Sequence, residues 1–307
     1  MKKISLSIIV VTYNRKEEVL DCLKSIFEND YKNFELILVD NASTDGTIVA
    51  VEKVFGNKIK IVKSKINLMA GGGRNLGASY AKGKHLLFID SDNVIDKKMI
   101  SELVKNAEKI EDWGILGPLM YYFKDKKRLW WADSRINLWS SKTYYIGLDQ
   151  LDNGQFNQIA EVGHIPNVYM LKKKIWKKVG GIDKDYVIHY EESDLAERIR
   201  KLGLKLYRIP SAKTWHKVPL YKEQSNRNYI GENQEKTYYV AKNRILFMRK
   251  NAKKLQYLFF LIFYLPQFSL FYIIKIIEAK RAGLVKTYFL GLKDGLIGYK
   301  KGYMFKQ

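Results

Sequence analysis

Ile4-Ser5-Leu6-Ser7-Ile8-Ile9-Val10-Val11-Thr12-Tyr13-Asn14-Arg15 is the stretch that decides the fold. Ile4 to Val11 is a β-branched apolar run, as expected of a strand buried on both faces of a parallel sheet. Met1-Lys2-Lys3 precedes it, but the run ends in a polar cluster with no small-residue cleavage pattern behind it, so a first strand is the better reading than a removable leader. Outward from it, strand and helix signals alternate. Glu17 to Phe27 carries Val19, Leu20, Leu23, Ile26 and Phe27 at helical spacing, and Phe34 to Val39 is a second strand that stops at Asp40-Asn41-Ala42-Ser43-Thr44-Asp45-Gly46. A helix through Val49, Val51 and Val54 follows, then a strand from Ile59 to Val62. A loop with Gly71-Gly72-Gly73 leads to a helix near Asn75 to Ala81, and a fourth strand, Leu86 to Ile89, ends at Asp90-Ser91-Asp92. This alternation predicts an α/β fold of βαβ units with a mostly parallel sheet.

Sheets of that kind bind ligands beyond the carboxyl ends of their strands. Thr12 to Arg15, Asp40, the glycine loop with Arg74, and Asp90 to Asp92 all fall at that edge. Any one of these clusters alone is a turn; four of them on one edge form a site. Beyond Trp113 the pattern loosens and aromatic residues are frequent. A helix returns at Glu192 to Leu202, Gly203 stands where a helix stop belongs, and Leu204 to Ile209 reads as a strand.

The 307 residues suit about two domains, and 47% hydrophobic residues suffice for a packed core, while 28% charged residues exclude a multi-span channel and a disordered tail. A lone cysteine, Cys22, excludes a disulfide framework and any site built from several thiolates. Fifty-four Lys and Arg against 32 Asp and Glu give a net charge of +22 and point to anionic partners.

Two familiar phosphate loops fail on spacing. Counting from Gly71 and Gly73, the third glycine of a dinucleotide fingerprint is replaced by Leu76; Gly72 and Gly77 have P-loop spacing, but Ala78 stands where the lysine belongs. What remains is either a tight turn or a loop delivering Arg74 and Asn75 to a helix start, where backbone N–H groups favour an anion. The pair Asp90 and Asp92 is either an ordinary turn or two carboxylates aimed at one hard cation. Mg²⁺ or Mn²⁺ there would complete its shell with phosphate oxygens and neutralise a diphosphate leaving group.

The ordered set Ser7–Arg15, Val39–Thr47, Asn67 with Gly71–Gly77, and Phe88–Asp92 resembles family 2 glycosyltransferases, inverting sugar-nucleotide-dependent enzymes of the GT-A fold. Gly180-Gly181-Ile182-Asp183 and Glu191-Glu192-Ser193-Asp194-Leu195 with Arg198 resemble that family's acceptor-side motifs, especially in its rhamnosyltransferase-like branch. The resemblance spans about residues 4 to 218. It implies a nucleotide-binding half over residues 1–95, an acceptor half over 96–220, and a C-terminal helical region over 221–307.

It also implies residue roles. Thr12, Asn14 and Arg15 would line the nucleotide pocket and Asp40 would meet the pyrimidine base edge, favouring UDP or dTDP. Gly73 and Arg74 would approach the diphosphate, Asp90 and Ser91 would face ribose or sugar, and Asp92 with His216 would hold Mg²⁺ or Mn²⁺. Glu192 takes the position of the catalytic base, usually the Asp of an E-D pair, with Glu191, Asp194 and Arg198 on the acceptor side. Read without the resemblance, Glu191 and Glu192 are acidic residues at a helix start and Asp194 with Arg198 a helix-surface ion pair.

Leu255 to Ile274 carries no charged side chain and approaches the roughly 20 residues that span a bilayer. Pro266, Gln267 and Ser269 interrupt its middle, and basic residues flank both ends: Arg249, Lys250, Lys253 and Lys254 before, Lys275, Lys280 and Arg281 after. This predicts a kinked segment lying in one leaflet at the cytoplasmic membrane face, held by anionic lipids, ahead of a single span or a soluble hairpin. Tyr288, Phe289, Leu292, Leu296 and Ile297 predict another amphipathic surface helix.

Glycosyl transfer to a lipid-linked or polysaccharide acceptor is the first functional reading. A sugar-1-phosphate nucleotidyltransferase is the second, disfavoured because no glycine- and arginine-rich loop follows the first strand. A nucleic-acid-binding protein is the third, disfavoured because the basic residues cluster beside the apolar segment.

Overall fold

A computed structural model describes residues 5–221 and 233–298; Ile4, expected to open the first strand, lies outside them, as do residues 1–3, 222–232 and 299–307. Strand β1 (Leu6–Thr12) leads to α1 (Lys16–Phe27), β2 (Phe34–Asp40), α2 (Thr47–Phe55), β3 (Lys60–Lys63), α3 (Met69–Tyr80) and β4 (His85–Asp90). The apolar runs are buried on both faces: Ile8, Ile9, Val10, Ile37, Leu38, Leu87 and Phe88 have no exposed surface. β1 pairs in parallel with both β2 and β4, Val10 lying opposite Leu38 on one side and Ile89 on the other. The expected alternation is therefore realised element by element.

The chain then forms β5 (Asn93–Ile95), α4 (Met99–Lys109), β6 (Trp113–Tyr122), β7 (Leu129–Trp131), and the separate hairpin of β8 (Asp133–Ile136) and β9 (Thr143–Ile146). After β10 (Ala160–Glu161) come β11 (Val168–Lys172), α5 (Lys173–Val179), α6 (Glu191–Arg200) and β12 (Lys205–His216). The main sheet runs β10-β12-β6-β11-β4-β1-β2-β3, with β5 on β12 and β7 on β6. β11 is antiparallel to both β4 and β6, and β12 is parallel to β6. Thus the ends of β1, β2, β4, β6 and β12 and the start of β11 share one edge. Gly203 ends the turn after α6 at φ +78°, where a glycine carries no Cβ penalty.

The three glycines do not form a loop. They lie in the first turns of α3, where the absence of side chains lets the helix sit directly on the sheet. A Cβ on Gly73 would stand 2.5 Å from Val11 Cγ1, and one on Gly77 would stand 2.5 Å from Ile9 Cγ2 and 2.9 Å from Val39 Cγ2. Tertiary packing has overridden the weak helix propensity of glycine, about 1 kcal/mol per residue.

Three helices close the described chain: α7 (Gln234–Asn251), α8 (Lys254–Glu278) and α9 (Leu284–Ile297). α8 stays helical through Pro266. A π-helical stretch, Phe260–Tyr264, ends two residues before the proline and widens the turn its ring would otherwise crowd. α9 is not a free surface helix: Gly291 and Gly295 press it against Tyr238 and Ile245 of α7, and Tyr238 Oη donates to Asp294 at 2.6 Å.

Gly77→Ala should lower the urea midpoint, by overpacking of about 1–3 kcal/mol that outweighs the helix-propensity gain. An unchanged or raised midpoint would show that α3 does not depend on this contact.

Candidate functional site

The site forms where strand ends and register bring polar tips together. β5 follows Asp92 immediately and pairs antiparallel with β12, placing His216 opposite Asn93. That pairing brings His216 Nε2 to 3.3 Å from Asp92 Oδ1, while Arg15, from the end of β1, reaches Asp92 Oδ2 at 3.0 Å. Burial alone would push the Asp92 carboxyl up, but the His216 hydrogen bond and charge, with Arg15, outweigh it and hold the group below its usual range. Trp130 meets the His216 ring edge-on at 4.4 Å. Asp92 is the centre of this corner.

A second cluster adjoins it. Arg74 comes from the middle of α3 and is 1% exposed, with Nη2 at 2.6 Å from Asp90 Oδ1 and Nη1 at 2.9 Å from Glu192 Oε1. Burial opposes its charge, yet Asp90, Tyr169 and Glu192 hold the guanidinium protonated. With the glycines inside α3, Arg74 is turned toward these two carboxylates and Gly73 packs on Val11. Arg15, with about half its side chain exposed, is the arginine at the open side of Asp92.

Burial is the first cause that pushes Glu192 above the usual carboxylate range, opposed by Arg74 and helped by the Asp90 charge. Glu191 is raised to about 8, by burial first and then by the Glu192 charge. Both residues open α6, whose first turn follows two left-handed residues, His189 (φ +67°) and Tyr190 (φ +68°).

Asn167 joins the clusters, and it carries no motif by which its role could be read. β11 runs antiparallel to β4, so the residue before β11 sits beside the end of β4. There its N–H donates to Glu192 Oε1 at 3.2 Å, its C=O accepts from Asp90 N–H at 3.2 Å, and its amide nitrogen lies 3.1 Å from His216 Nε2. Asn93 is a second such residue, donating to Asp90 O and Asp92 Oδ1 at 3.3 Å each.

At the end of β2, Asp40 is 5% exposed and its Oδ1 accepts from Ser43 N–H at 3.1 Å. Asn14 staples the loop after β1 to the loop after β2: its N–H donates to Ser43 Oγ at 3.0 Å and its Oδ1 accepts from Thr44 N–H at 2.7 Å. Thr12 Oγ1 and Asn41 Oδ1 are buried without a partner among the described residues, and Ser91 is 5% exposed. Asp194 and Arg198 lie below the site. Their ion pair (2.7 Å) sits at a buried carboxylate, and Arg198 also donates to Val179 O at 2.6 Å and Gly181 O at 2.8 Å. Asn75 fastens the same loop from the other side, its amide bonded to both Ile182 O and Ile182 N–H.

No group of three or more His, Cys, Asp or Glu is positioned to hold a metal among the described residues. The carboxylate of Asp92 and the imidazole of His216 are nevertheless a donor set suited to a divalent ion that takes its remaining ligands from phosphate and water.

The family model "Glycosyl transferase family 2" matches residues 7–172, more than half of the chain. The chain belongs to this family and is a glycosyltransferase. "Amylovoran biosynthesis glycosyltransferase AmsB" of Erwinia amylovora is 28% identical over 218 residues, 68% of each chain. Among solved structures, GalNAc-T7 with UDP, GalNAc and Mn²⁺ aligns with TM-score 0.60 at 16% identity, over 77% of this chain and 48% of that one. The mannosyltransferase PcManGT from Pyrobaculum calidifontis, in complex with GDP-Man and Mn²⁺, aligns with TM-score 0.59 at 16% identity, over 96% of this chain and 87% of that one. The fold is thus the GT-A fold expected from the motifs, with one apolar C-terminal helix among the described residues long enough to cross a membrane.

Arg74→Met should cost about 3–5 kcal/mol of stability at neutral pH by stranding two partly buried carboxylates. The deficit should shrink as the pH falls and Glu192, whose carboxyl burial raises, becomes protonated. Urea unfolding at several pH values reads both; a loss of donor affinity without a loss of stability would return Arg74 to the diphosphate.

Proposed function

We propose that the enzyme performs an inverting transfer from a nucleoside-diphosphate sugar, UDP or dTDP, to a hydroxyl of a lipid-linked or polysaccharide acceptor at a membrane surface. The observation that carries this reading is the Arg74 bridge, which joins the Asp90 tip on the donor side to Glu192 on the acceptor side. In such a transfer the acceptor hydroxyl attacks the anomeric carbon, Glu192 takes its proton, and the bond from that carbon to the diphosphate oxygen breaks with the electron pair leaving on the diphosphate. Arg74 and the Asn167 N–H fix one carboxylate oxygen of Glu192 and orient the base. Arg15 offers its charge where negative charge develops on the leaving group. Mg²⁺ or Mn²⁺ held by Asp92 and His216 would supply Lewis-acid neutralisation of the diphosphate. Mn²⁺ accompanies the nucleotide in GalNAc-T7 and in PcManGT, which supports a divalent ion here.

Glu192→Gln should lower kcat by about 10²- to 10⁴-fold with donor affinity near that of the parent, and Glu191→Gln should do less. Because burial raises both carboxyls, the acid limb of kcat should lie above the ordinary carboxylate range, activity falling as the pH drops and the base protonates. The reverse order of the two variants would move the base to Glu191. Donor binding by Asp92→Ala, measured with and without Mn²⁺, checks the metal: parental Mn²⁺-dependence would remove it from Asp92.

The membrane reading rests on α8. One stripe of it (Phe260, Tyr264, Phe268, Tyr272, Ile276) faces α7 and α9, with Arg244 over Phe268 at 4.0 Å. The opposite stripe exposes Leu255, Leu258, Ile262, Leu270, Ile274 and Ile277. A helix with one stripe resting on protein and basic residues at both ends suits an in-plane position better than a span. Exposed Tyr144 and Tyr145 and half-exposed Trp139, which meets Phe259 edge-on at 5.6 Å, add interfacial aromatics. Leu258→Glu with Leu270→Glu should abolish cosedimentation with phosphatidylglycerol vesicles while the circular dichroism spectrum is kept. Retained binding would place attachment elsewhere. That AmsB is an amylovoran biosynthesis glycosyltransferase supports a polysaccharide or lipid-linked acceptor.

A further inference from the structure

Ahead of Glu191 and Glu192 the backbone takes a conformation that L-residues avoid. His189 and Tyr190 are consecutive and both left-handed, a conformation in which the Cβ crowds the following carbonyl oxygen. Such a turn persists only where its surroundings over-determine it. None of the residues already given catalytic or binding roles does this.

The support comes from α7, outside the catalytic sheet. Asn243 is fully buried, and its amide nitrogen donates to Ile188 O at 2.7 Å and to His189 O at 3.2 Å, so one side chain satisfies two successive carbonyls of the strained turn. One turn on, Phe247 packs on the Tyr190 ring at 5.2 Å. Seven and eight residues on, Lys250 pairs with Asp183 and, at 2.8 Å, with Asp185, while Asn251 donates to Asp194 Oδ1 at 3.0 Å. Positions 243, 247, 250 and 251 fall on one helical face. That face therefore grips the acceptor loop and both sides of the turn before α6. The Asn243 Oδ1 has no partner among the described residues, so the amide engages the turn only as a donor.

We infer that Asn243 is a positioning residue: by holding the Ile188–Tyr190 turn in its left-handed form it sets where the Glu192 carboxylate stands. This rests on the reading of Glu192 as the base. Asparagine suits the position, since aspartate would offer the two carbonyls no donor and alanine would leave both buried and unpaired.

The test is a double-mutant cycle between Asn243→Ala and Glu192→Gln in the full chain, with steady-state kinetics and donor Kd for each variant. A misplaced base should lower kcat by about tenfold or more in Asn243→Ala, with donor Kd within about twofold of the parent. In the Glu192→Gln background the same change should alter the residual rate by less than about twofold, since the group it positions is already gone. Rate losses that multiply in the double variant, or an unchanged kcat in Asn243→Ala, would overturn the inference. If Asn243→Ala does not fold, Asn243→Ser, which keeps one donor, carries the same cycle and the same two outcomes. Full turnover of Glu192→Gln alone overturns the base assignment, and this inference with it, and is read separately from the cycle.

Discussion

The arrangement depends on one buried cation. Arg74 stands with almost no exposed surface between Asp90 and Glu192. Desolvating a guanidinium costs several kcal/mol, so the group tolerates this place only with both carboxylates in contact. The dependence runs the other way as well. Asp90 closes the fourth strand and Glu192 opens a helix about a hundred residues later, and without Arg74 their like charges would drive the two elements apart. A buried ion pair adds little net stability; what it supplies here is position, tying the donor-side tip to the acceptor-side carboxylate.

The charge balance of the site follows from that bridge. Asp90, Glu192 and the adjacent Glu191 outnumber Arg74, and burial first, with neighbouring carboxylate charge second, raises both glutamates. Positive charge stands at Arg15, beside Asp92 and His216, the pair proposed to hold a cation. Displacement of a diphosphate needs that polarity: a base where the hydroxyl enters and cations where the leaving group departs. Asn167 sits at the junction and bonds to both sides.

Much of this was legible in the residue order. The β-branched run at Ile8 to Val11 and the acidic tip after Leu86 to Ile89 identified the sheet and its functional edge, because strand burial and edge polarity are local properties. The glycines were misread for the same reason. In the sequence, Gly71-Gly72-Gly73 is a breaker, and only the approach of α3 to Ile9, Val11 and Val39 shows why a helix carries it. Asn167 and Asn243 were invisible because an asparagine's hydrogen-bond partners lie far away in the chain. The continuity of α8 through Pro266 was hidden likewise, since the π-helical turn that accommodates the proline leaves no compositional mark.

The bridge is tested most directly by the crystal structure of the protein with UDP and Mn²⁺ bound. The account requires the guanidinium of Arg74 to remain between Asp90 and Glu192, with the manganese anomalous peak at Asp92 and His216 and Arg15 turned toward the diphosphate. A structure in which Arg74 has left the two carboxylates to contact the diphosphate would contradict it.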